Sequence, residues 1–111
     1  MKSSEKDNFL LIKKEEAEDL TGFISEVTQK EKDYSGENVV IDLSANKNLH
    51  TRDLLGFLEA SDTHRNRNKS FVIVNDSLGI DDLPEELVVV PTLQEAEDLI
   101  QMDEIQRDLG F

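Results

Sequence analysis

Apolar residues along the chain come in short blocks of two kinds. In "FLLI", "VVI", "FVIV" and "LVVV" they are continuous. Strands covered on both faces look like this, whereas half-solvated strands alternate. The runs predict strands over 9–14, "NVVIDLS" (38–44), 70–75 and "LVVVPT", the last ended by Pro91. Between them apolar residues recur at spacings of three and four, which makes one stripe on a helix. Leu20, Phe23, Ile24 and Val27 predict a helix over 16–34, stopped by Ser35-Gly36. Leu54, Leu55 and Leu58 predict an inner face for a helix over 52–65. Leu93, Ala96, Leu99, Ile100 and Ile105 do so for a final helix, opened by Thr92 and Glu95 in capping-box spacing. "KDN" at 6–8 is turn-like, so residues 2–6 are expected to pair with the first strand as a hairpin. "DSLGIDDLPEE" reads as a loop with one helical turn.

Strands and helices alternate, which predicts an α/β fold: a small sheet of four or five strands, mixed or mostly parallel, with helices. The 111 residues suit one domain over 1–111, with 1–7 as a hairpin strand or a flexible end and 106–111 as a tail whose Leu109 and Phe111 need a docking place or a partner. No internal repeat or low-complexity stretch interrupts it.

Charge narrows the partners. The net charge is −13, unevenly spread: residues 1–69 carry 11 of the 12 basic side chains against 14 acidic ones, and residues 70–111 carry Arg107 alone against 11. Such a surface repels phosphate backbones, so nucleic acid is a poor partner. The basic cluster Arg65, Arg67 and Lys69 reads as cations meeting the negative end of a helix dipole. Without cysteine there is no thiol or disulfide chemistry. The polar "MKSSEKDN" followed by only four apolar residues matches neither a signal peptide nor a membrane span, so a cytoplasmic protein is expected.

Catalytic patterns are sparse. The five glycines form no phosphate loop, no serine sits in a Gly-x-Ser-x-Gly elbow, and His50 and His64 stand alone without cysteine. Asp81, Asp82, Glu85 and Glu86 lack calcium-loop spacing and read as a solvated loop. No metal and no cofactor is expected. The remaining candidate is the set of residues at the carboxyl ends of strands, where open α/β sheets gather function: Asp42 and Ser44 after one strand, Asn75 and Asp76 after another, and Thr51 opening the helix beyond. Thr51 suits an N-cap, with Asp53 favoured by the dipole in the first turn; a helix N-terminus also welcomes a phosphoryl group.

The stretch "VVIDLSANKNLHTRDLLGFLEA" resembles the central part of STAS domains, the family of bacterial anti-sigma factor antagonists, and "VVVPTLQEAEDLI" resembles that family's last strand, capped turn and helix. The likeness spans most of residues 8–105. It implies a small sheet with helices and a regulatory protein-binding role without enzymatic activity. A Ser or Thr of the central loop is then phosphorylated by a kinase that is also the anti-sigma factor. By position the phosphoacceptor falls on Thr51 and the strand aspartate on Asp42. The family's Asp-Ser-Ser/Thr-Gly-Leu motif is altered: His50 replaces the preceding aspartate, Arg52 the following hydroxyl residue and Asp53 the glycine, while Leu54 is kept. Asp53 puts a side chain and a negative charge where a backbone would otherwise approach closely. The implied surface is Asp42, Ser44, Asn48, His50, Thr51, Arg52 and Asp53, with a degenerate phosphorylation site. The implied partner is a protein, either an anti-sigma or kinase-like protein or the product of a neighbouring gene, with the chain itself a monomer or homodimer. The alternative is a working Thr51 switch. A receiver-like reading at Asp42 lacks the clustered aspartates and late lysine it needs. The chain also resembles short STAS-like bacterial proteins often labelled ribonuclease Z. Two histidines cannot build that nuclease's two-metal site, so the label points at most to an accessory partner of a ribonuclease.

Overall fold

The computed structural model describes residues 1–78 and 83–110. Five strands, β1 (Lys2–Glu5), β2 (Leu10–Lys13), β3 (Val39–Asp42), β4 (Phe71–Val74) and β5 (Val88–Val90), form one sheet in the order β1-β2-β3-β4-β5. β1 runs antiparallel to β2, and the other three pairings are parallel. The α/β class, the N-terminal hairpin and the central place of "VVIDL" are therefore as the sequence predicts. Three helices accompany the sheet: α1 (Leu20–Gln29), α2 (Leu58–Asn66) and α3 (Leu93–Asp108).

Strand order explains the layering. Parallel strands added always on the same side, by crossovers of one hand, place every crossover on one face. Ile12, Ile41, Ile73 and Val89 lie in register across four strands and face α1 and α2, with Phe23, Val27, Leu54 and Phe57 packed on them. Leu11, Val40, Val72 and Val88 form the next row, which the pleat turns to the other face. There α3 is the cover, through Ala96 and Ile100.

Helix boundaries depart from the periodic pattern in three places. The predicted 16–34 helix starts at Leu20, because the Asp19 carboxylate caps the Gly22 N–H at 3.0 Å while Glu18 takes the Glu15 N–H at 2.9 Å. It ends at Gln29, and the chain tightens into a 3-10 turn over Glu31–Tyr34 that turns both Glu31 and Tyr34 inward. The predicted 52–65 helix opens as a 3-10 helix over Thr51–Phe57 before α2. Three residues per turn bring i and i+3 onto one face, so Leu54 and Phe57 are buried and Leu55, expected inside, is 46% exposed. In α3 Ala96 and Ile100 are buried as expected, but Ile105 points outward, 54% exposed, beside Met102 and Leu109. Of the capping box, only the Thr92 hydroxyl accepting the Glu95 N–H, at 3.1 Å, is made among the described residues.

Two polar groups tie these layers together. Asn38, buried just before β3, donates to the Asn8 carbonyl at 2.9 Å and the Glu104 carboxylate at 2.7 Å. Its side-chain oxygen accepts from the Ser70 N–H at 2.8 Å and from Arg107 at 3.3 Å. One amide thereby joins the hairpin, β4 and α3. On the other face His64 is fully buried, its Nδ1 3.1 Å from the Glu31 carboxylate, its Nε2 against the Glu37 carbonyl, and its ring edge-on to Phe71. Arg67 pairs with the same Glu31 at 2.5 Å, so at least one cation of the basic cluster belongs to a structural ion pair. No helix among the described residues is long and apolar enough to cross a membrane.

Ile41, fully buried at the centre of the sheet, tests the core: Ile41→Ala should cost about 2–5 kcal/mol of unfolding free energy in denaturant titration. Glu104 tests the clasp. The Asn38 hydrogen bond, aided by Lys69 and Arg107, holds its carboxyl below the ordinary carboxylate range. A depressed folded value contributes stability above that range and loses it as pH falls through the lowered value. The stability gap between the parent and Glu104→Gln should therefore be widest at neutral pH and narrow in acid, as thermal unfolding at several pH values would read.

Candidate functional site

The carboxyl ends of β3 and β4 meet in a loop that is pinned from within. The Asp42 carboxylate accepts the Ser44 N–H at 2.9 Å, closing a tight turn directly after β3. Asn75, buried just past β4, donates to the Leu43 carbonyl at 3.0 Å and the Asn46 carbonyl at 2.8 Å, and its oxygen accepts from the Ser77 N–H and hydroxyl. Asn75 thus staples one loop to the next rather than offering itself to a ligand. Lys47 and Asp76 add an exposed ion pair at 3.2 Å across the same gap. The Asn46 side-chain oxygen is buried without a partner among the described residues.

Thr51 is not the helix cap. The residue in the capping position is His50, extended at φ −108° and ψ 155°, and Thr51 is the first residue inside the 3-10 helix. The Asp53 carboxylate reaches back to accept the His50 N–H at 2.8 Å, the half of a capping box in which the third helical residue serves the cap's own N–H. The Thr51 hydroxyl makes no hydrogen bond among the described residues, and the residue is half-buried. Asp53 is therefore the residue that organises this turn.

The candidate residues separate into two groups. By the pleat, Asp42 shares the α3 face with Val40, level with Lys13 and Val74. Thr51, Arg52 and Asp53 belong to the opposite face, where the 3-10 helix crosses α1. Between the two helices lies a groove of about 280 Å³ lined by Leu20, Thr21, Ile24, Arg52, Asp53 and Gly56. A side chain at position 56 would stand 3.0 Å from Ile24, so glycine allows the close crossing. Ser44 is half-exposed, whereas Asn48, His50 and Arg52 are exposed, as is Leu55 on the same 3-10 helix as the groove residues. The α1 residues of the groove were not among the sequence candidates; Leu20 and Ile24 lie half-buried on the apolar stripe, the signal that could have found them, whereas Thr21 is exposed and carries none.

Lys14, directly after β2, is 1% exposed, with its ammonium donating to the Glu15 carbonyl at 3.1 Å. No group of three or more potential metal ligands occurs among the described residues; Asp81 and Asp82 of the acidic loop lie outside them. No family model matches the chain, and no curated protein is a significant match to it.

Because Asp53 caps the turn, Thr51→Ala should change stability by less than about 0.5 kcal/mol, not by the larger loss expected of a cap. Asp53→Ala should cost about 0.5–2 kcal/mol. Paired denaturant titrations of the two variants check the order.

Proposed function

We propose that the chain is a non-enzymatic regulatory module of the STAS type, which binds a protein through loop 44–53 and the groove between α1 and the 3-10 helix. The carrying observation is how hydrogen bonding is distributed at this edge. Asp42, Asp53 and Asn75 spend their polar groups on holding the loop, while Asn48, His50, Arg52 and Leu55 are left facing solvent beside a partly apolar groove. A rigid loop with outward side chains suits recognition by shape. The order of strands and helices accords with the STAS likeness read from residues 8–105. The acidic field of the chain favours a partner with a basic or apolar surface, such as an anti-sigma or kinase-like protein or a neighbouring gene's product. A cytoplasmic location belongs to the same reading.

One observation favours a second reading, a working phosphorylation switch: the Thr51 hydroxyl is not consumed by an internal bond. Against it, the Asp53 carboxylate in the same turn repels an added phosphate, so a degenerate site is the better account.

The chain used as bait in its native cell should retain a specific protein. Leu55→Asp and Arg52→Glu should weaken that complex by about tenfold or more, with folding unchanged by circular dichroism. Thr51→Ala and Thr51→Asp should bind as the parent does. Retention of the same protein by Leu55→Asp and Arg52→Glu at parental strength would remove the proposed surface. Release by Thr51→Asp alone would make Thr51 the switch.

A further inference from the structure

We infer a small-molecule site at the opposite end of the sheet, independent of the protein-binding edge: a pocket for a small organic anion between α3 and the start of β4. The reason such a pocket exists is dimensional. Five strands spaced about 4.8 Å apart make a face roughly 20 Å wide, and one helix about 10 Å across cannot cover it. On the β4–β5 side of α3 this leaves a cavity of about 330 Å³. Val72, Val88 and Leu99 supply its apolar lining, and Arg65, Lys69 and Arg107 its cations.

The charge there runs against the rest of the molecule. The chain carries −13, yet this cavity has three cations to one carboxylate, Asp103. In the cavity by Phe9 and Gln101 the ratio is four carboxylates to one cation, and in that by Asp62 and Glu86 it is three to one, the one cation there being Arg65, which borders the proposed pocket as well. Asp103 is engaged, accepting from the Ser70 hydroxyl at 2.6 Å. Arg107 is held in place by donating to the same hydroxyl at 3.0 Å and to Glu104 at 3.1 Å. Arg65 donates to the Glu86 carbonyl at 2.8 Å. Lys69 makes no ion pair or side-chain hydrogen bond among the described residues, although its charge acts on Glu104 and it also lines the neighbouring cavity by Asp7 and Glu37. Two hydrogen-bonded guanidinium groups and one ammonium without a hydrogen-bond partner, beside an apolar lining, select a carboxylate or phosphate head carrying a short apolar body. The basic cluster, which the sequence suggests is only a helix-end effect, thus divides: Arg67 serves the Glu31 pair, and Arg65 and Lys69 border this cavity.

Titration of isotopically labelled protein with phenyl phosphate and with benzoate, followed by amide NMR, tests the site. At least one probe should give saturable shifts at Ser70, Val88 and Gln106, and the tighter of the two identifies the head group. Lys69→Gln and Arg65→Gln should each weaken binding by about fivefold, and Lys47→Gln at the far end of the sheet should not. Benzyl alcohol, which keeps the ring and lacks the charge, should bind more weakly than the anions. Absence of saturation for both anions, equal binding by Lys69→Gln and the parent, or equal binding of benzyl alcohol would each overturn the proposal. So would inorganic phosphate binding as tightly as phenyl phosphate, because the apolar lining would then contribute nothing.

Discussion

The arrangement of the molecule depends on the Asn38 side chain. A parallel sheet needs both faces covered, and here one face is covered by α3, which follows β5. Burial of Ala96 and Ile100 draws the helix to the sheet but does not fix its far end, where Met102, Ile105 and Leu109 face solvent. Asn38 fixes it. Its amide uses both donors and its oxygen accepts twice, joining Asn8, Ser70, Glu104 and Arg107 at the amino ends of β3 and β4. A buried amide left without such partners would cost about 1–3 kcal/mol, so the same group that locks α3 also demands that α3 stay.

Asn75 does at the carboxyl ends what Asn38 does at the amino ends. It joins the loops after β3 and β4, just past the last backbone bonds between the strands, Leu43 to Val74 and Asn75 to Val90. The two asparagines divide the molecule into ends with different capacities. At the Asn75 end Asp42, Asp53 and Asn75 turn their polar groups to holding the loop, and Asn48, His50 and Arg52 face solvent beside a partly apolar groove. At the Asn38 end the single covering helix leaves part of the sheet open, and cations gather around the opening.

The 3-10 segments follow from the same economy of space. Over Thr51–Phe57 the tighter turn stacks Leu54 and Phe57 on Ile41 and its neighbours, and it brings Gly56 against Ile24. An α-helical start would have rotated Leu55 inward. Over Glu31–Tyr34 the tightening brings Glu31 to His64 and Arg67. Both segments lie where a helix meets another element at close quarters, and packing there outweighs the better hydrogen bonding of the α form.

The strands, their order of appearance, the α/β class and the start of α3 were legible in the sequence, because each rests on local facts: runs such as "FVIV", stripes such as Leu20, Phe23 and Val27, and Thr92 in a capping position. The Thr51 loop was legible as a joint between strand and helix. Its wiring was not. That Asp53 caps the turn depends on the path by which the chain enters it, and that Asp42 faces away from Thr51 depends on the pleat of a strand whose faces are buried alike. Asn38 reads as the first residue of the strand "NVVIDLS", and His64 as a histidine without a cysteine beside it. What makes each of them structural is a set of partners 25 or more residues away in the chain. Local pattern records how a segment meets water and apolar surroundings; only the closed fold decides which distant polar group stands opposite.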